Sequence, residues 1–134
     1  MTELTEFLFP APARRTVAGI VRWWESRRLA YNLFVGGAGL FSLGAISLIT
    51  LIPPGLPRVG FPWQVVVVFG VMANVCFLLG PAIEIALQKL WGEKLLPVGP
   101  ALFRMGLTFS VGLALFPTLI VMMGWVIRVV SGLF

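Results

Sequence analysis

The sequence predicts an all-α integral membrane protein with three transmembrane helices and an amphipathic N-terminal helix at the interface. Three observations carry that expectation. The composition is 59% hydrophobic and 11% charged over 134 residues, too few charged groups for a soluble domain of this size to cover its apolar surface. Three apolar stretches approach the roughly 20 residues that a helix needs to cross about 30 Å of hydrocarbon. The basic residues, ten against five acidic, gather beside the ends of those stretches.

Residues 1–29 read as a cytoplasmic segment. Within it, Ala13 to Trp24 has Val17, Ile20, Val21 and Trp24 on one helical face and Arg15, Arg22 and Ser26 on the other, a pattern suited to a membrane surface. Arg14, Arg15, Arg22, Trp23, Trp24 and Arg27 are the expected lipid-surface anchors. The residues before Arg14 lack the long apolar core of a cleaved signal peptide, so this segment is expected to remain.

Residues 30–134 read as the three-helix domain. The first span, about Ala30 to Ile52, is closed by Pro53 and Pro54. Gly55 to Phe61 form a short turn, and Pro62 suits the start of the second span, about Trp63 to Leu87. A polar patch of Gln88, Lys89, Trp91, Glu93 and Lys94 follows, then Pro97, Gly99 and Pro100. The third span is about Ala101 to Met123, or slightly longer, towards Val130. In this arrangement Arg14, Arg15, Arg22, Arg27, Arg28, Lys89, Lys94 and Arg104 share one side, against Arg58 and Arg128 on the other. The positive-inside rule then makes the N-terminus cytoplasmic and the C-terminus opposite, and the expected location is a bacterial inner membrane. The same arrangement explains the net charge of +5 without nucleic acid as a partner.

Small residues mark where membrane helices pack closely. Ala38, Ser42 and Ala45 form one such stripe, with Gly37 and Gly44 beside it, and Gly106, Ser110, Ala114 and Thr118 form another. Whether they face helices of this chain or of another subunit is open at this level. In the second span Asn74, Glu84 and Gln88 gather on one side of the helix. An acid inside the boundary is costly unless paired or protonated. Arg104 is the first candidate partner for Glu84. The alternative is a Glu84 that titrates or binds an ion or ligand, with Asn74 deeper on the same path. Pro81 and Pro117 would each free a backbone carbonyl and kink their helices.

The chain contains neither His nor Asp, and one cysteine, Cys76. No nucleophile with a plausible base, no haem or transition-metal set and no redox pair follows from such a complement; Cys76 reads as a small packing residue. No cofactor and no metal are expected. The Val35–Leu40 run has a Gly-x-Gly fragment but lacks the strand, helix and later acid of a dinucleotide site.

Trp23-Trp24-Glu25-Ser26-Arg27-Arg28-Leu29-Ala30-Tyr31-Asn32, with Ala73-Asn74-Val75-Cys76-Phe77 and Gly80-Pro81-Ala82-Ile83-Glu84, resembles short uncharacterised multi-pass membrane proteins of bacteria, to which no activity attaches. The resemblance implies that Trp24, Glu25, Arg28, Asn32, Asn74 and Glu84 form a connected set. Glu25, Arg28 and Asn32 share a helical face, which makes Arg28 a second candidate partner for Glu84. The functional expectation is a non-catalytic accessory or assembly subunit, with lipids and other membrane subunits, or copies of itself, as partners. The competing expectation is a small homo-oligomeric pore or carrier that uses the Asn74 and Glu84 face.

Overall fold

A computed structural model of the chain describes residues 16–54, 62–92 and 98–133. Ala13, Arg14, Arg15, the turn with Arg58, and Glu93, Lys94 and Pro97 lie outside the described residues. The described chain is three α-helices: α1 Val17–Leu51, α2 Trp63–Trp91 and α3 Gly99–Ser131. Each is long and apolar enough to cross a membrane.

All three outrun the expected spans, because an α-helix stops where its backbone hydrogen bonding is interrupted and charged side chains do not interrupt it. Thr16 caps α1 by accepting from the Gly19 N–H at 3.1 Å. Ile52 leaves helical geometry immediately before Pro53-Pro54. Helix α2 runs through Gln88 and Lys89 to Trp91 and ends at Gly92, whose φ of +61° is one that glycine adopts without strain. Helix α3 starts at Gly99 with Pro100 in its first turn, where the missing N–H leaves no bond broken. Pro81 and Pro117 sit inside α2 and α3, which continue past them.

The separate interfacial helix is corrected on one point. Residues 17–29 and the first span are one uninterrupted helix of 35 residues, about 52 Å long at 1.5 Å per residue. Of the face expected to lie on lipid, Ile20 and Trp24 pack inside the bundle, whereas Val17 and Val21 stay exposed. Ile20, Trp24, Arg27, Tyr31, Val35 and Ser42 are buried along α1, mostly in steps of three and four that keep one seam turned towards the neighbouring helices.

Helix α1 packs mainly along α3 and also on α2, whereas α2 and α3 touch less. Ile20, Trp24, Tyr31 and Val35 of α1 meet Ala73 and Phe77 of α2, flanked by Phe103, Leu107 and Val111 of α3. The cross-helix contacts run Trp24 to Glu84, Tyr31 to Ala73 and Ser110, and Ser42 to Thr118, so α1 and α3 are parallel and α2 is antiparallel to both. Arg22, Arg27, Arg28, Lys89 and Arg104 therefore share one end, and Arg128 lies towards the other. The outer surface is apolar: no more than 11% of each helix's most apolar window is buried within the chain.

Candidate functional site: a polar seam between the helices

At the basic end, Glu84 is 2% exposed and Trp24 3%. The Trp24 indole N–H donates to Glu84 Oε2 at 2.7 Å. That carboxyl group also lies against the first residue of α3: a Cβ built on Gly99 would stand 2.6 Å from Oε2. Glycine at 99 lets the carboxyl reach the N-terminal turn of α3, where unpaired backbone N–H groups and the helix dipole favour negative charge. One side chain of α2 thus touches both other helices.

Trp24 is held by shape as well. Its ring lies on Gly80, where a Cβ would collide with the indole. Phe77 and Phe103 meet it edge-on, with centroids 5.5 and 6.0 Å away, an arrangement that aromatic quadrupoles favour. Two residues expected to anchor at the lipid surface, Trp24 and Arg27, are therefore interior. Arg27 folds back on its own helix, donating to the Trp23 carbonyl and stacking 3.7 Å over the Trp23 ring. Of the other anchors, Arg22 is exposed and Trp23 half-buried.

One level further in, the Tyr31 hydroxyl donates to the Ala73 carbonyl at 3.0 Å and lies 2.7 Å from Ser110 Oγ, joining all three helices. Ser42 and Thr118 hydroxyls then pair at 2.6 Å between α1 and α3. Near the far end, the Trp125 indole N–H donates to the Ile52 carbonyl at 3.2 Å, where α1 has ended. Each bond satisfies a polar group that hydrocarbon could not. Tyr31→Phe should lower the stability of the bundle by about 1 kcal/mol, the typical scale of interhelical hydrogen bonds in membranes; denaturant-titrated unfolding in micelles measures it.

The structure brings together some of the expected polar residues and separates others. Trp24 meets Glu84, and Arg28 pairs with Glu25 at 2.6 Å on the same helix. Neither expected arginine pairs with Glu84: Arg104 is exposed, and Arg28 turns to Glu25. Asn74 donates to the Gly70 carbonyl one turn back. Gln88 is half-buried and Asn32 exposed. Of the small residues, Ser42, Ser110 and Ala114 are buried between helices, and Ala38 and Ala45 are half-buried. Gly37, Gly44 and Gly106 have open space where a Cβ would stand. Cys76 is exposed on α2 rather than packed within the chain.

A groove of about 420 Å³ opens between α1 and α2, floored by Leu113, Ala114 and Pro117 of α3. Asn32 and Asn74 lie on its wall; Glu84 does not. Among the described residues no three His, Cys, Asp or Glu side chains gather into a metal-binding group. No family model, curated protein or solved structure matches the chain.

Proposed function

We propose that the chain is a non-catalytic integral membrane protein acting as an accessory or assembly subunit that packs against other helices in a larger membrane complex. The observation that carries this reading is the division of labour between its surfaces. Trp24, Tyr31, Ser42, Glu84, Ser110 and Thr118 hold the chain's own helices together. The outer faces keep large apolar side chains and glycines with open space, such as Gly37, Gly44 and Gly112, which let a foreign helix approach closely. The distribution of arginine and lysine supports a cytoplasmic N-terminus and, for a bacterial chain, the inner membrane. Residues 17–29, the start of a helix longer than the bilayer is thick, would then stand at or above the cytoplasmic interface.

The second reading, a homo-oligomeric pore or carrier, draws on Asn74 at the groove wall. It is weakened by Glu84, which lies outside that groove and already bonds to Trp24. Gentle extraction from native membranes followed by native mass spectrometry tests the proposal. Recovery in fixed stoichiometry with different, larger subunits is the expected result. A lone chain or a ring of identical copies would overturn it and turn attention to liposome flux with Glu84→Gln.

A further inference from the structure

The groove between α1 and α2 continues a single stripe on α1. Arg28, Asn32, Gly36, Gly39, Leu43 and Ile46 follow one another at three- or four-residue steps, which place them on one side of a helix. The last five line the groove, and Arg28 lies one turn, about 6 Å, before its near end. At that end the wall carries the carboxamides of Asn32 and Asn74; beyond them it is glycine and apolar side chains, with the Ser42 hydroxyl already bonded to Thr118. Arg28 is incompletely satisfied. One guanidinium nitrogen pairs with Glu25, the group stands 5.2 Å over the Phe77 ring, and Nε is buried with no hydrogen-bond partner. Among the described residues at this end of the bundle, Arg22, Arg27, Arg28, Lys89 and Arg104 outnumber Glu25 and Glu84.

We infer that this groove holds one acyl chain of an anionic phospholipid, with the phosphate of its headgroup at Arg28 and its polar glycerol region beside Asn32 and Asn74. Charge complementarity selects this occupant over a second copy's helix: Arg28 stands one turn outside the groove's near end, and the groove itself is lined by no charged side chain. Basic positions between membrane helices hold acidic headgroups by the same logic. The glycines give the chain its room, since nothing stands within 4 Å of a Cβ at Gly36, Gly39 or Gly70.

Native mass spectrometry of the full chain in mild detergent, with phosphatidylglycerol and phosphatidylcholine as competing probes, tests this. Wild type should retain one phospholipid and favour phosphatidylglycerol by about fivefold. Arg28→Gln should bring the preference close to one. Gly39→Phe, which fills the groove, should reduce retention of both lipids by about tenfold, whereas Gly44→Phe on the open face outside the groove should not. If Gly39→Phe loses helicity, Gly36→Leu fills the same groove from the adjacent turn. Equal retention of the two probes by wild type, or undiminished retention in the groove-filling variants, would overturn the inference. So would a dimer that Gly39→Phe dissociates in lipid-free micelles, which would put a second copy's helix in the groove.

Discussion

Gly80→Leu is expected to lower the stability of the bundle by about 3 kcal/mol, the upper end of what overpacking a tight interior commonly costs. The first added carbon already falls inside the Trp24 indole. The ring has little freedom to yield, because Phe77 and Phe103 pack on it and Glu84 holds its N–H. The variant must therefore move Trp24 and break the bond to Glu84, or part α2 from α1. Gly44→Leu is the matched control: nothing stands within 4 Å of its Cβ, and its effect should stay within about 0.5 kcal/mol. Unfolding in mixed micelles, followed by tryptophan fluorescence and circular dichroism, separates the two. Equal effects at both positions would mean that Trp24 is not clamped on Gly80.

Glu84→Ala is expected to cost about 2–3 kcal/mol. It strands the buried Trp24 N–H and opens a void beside Gly99, and a buried donor left unsatisfied costs about 1–3 kcal/mol by itself. Glu84→Gln should be milder, about 1 kcal/mol, since its amide oxygen still accepts from the indole while its NH₂ meets the donor-rich start of α3 less favourably. A Gln variant as damaging as Ala would mean that the charge of Glu84, rather than the oxygen accepting from Trp24, carries the stabilisation.

Much of the fold is legible in the sequence because hydrocarbon imposes one length and one backbone solution. The three apolar stretches and the breaks at Pro53-Pro54 and around Gly99-Pro100 mark the three helices directly. The ends are less legible. Lys89 and Gln88 read as a boundary by polarity, whereas the backbone continues to Gly92. The face of Ile20 and Trp24 was the harder element, since an apolar stripe looks the same whether lipid or another helix covers it. The available signal was continuity: the steps from Ile20 through Trp24 and Arg27 to Tyr31 and Val35 carry one seam from the N-terminal segment into the span without a change of phase. Glu84 is legible as a residue that needs a partner. Trp24 as that partner is not, because it depends on close approach of α1 to α2 at Gly80 and of α2 to α3 at Gly99. In the sequence those glycines, each beside a proline, read as part of a kink and of a break rather than as clearance.

The central claim is that the buried carboxyl group of Glu84 holds the chain's own helices together, through Trp24 above all. A double-mutant cycle tests it most directly, with the stabilities of Trp24→Phe, Glu84→Leu and the double variant measured against wild type in the same micelles. The expected coupling is about 1.5 kcal/mol, near the upper end for interhelical hydrogen bonds in membranes. Additivity to within about 0.5 kcal/mol would contradict the claim and favour the carrier reading of Glu84.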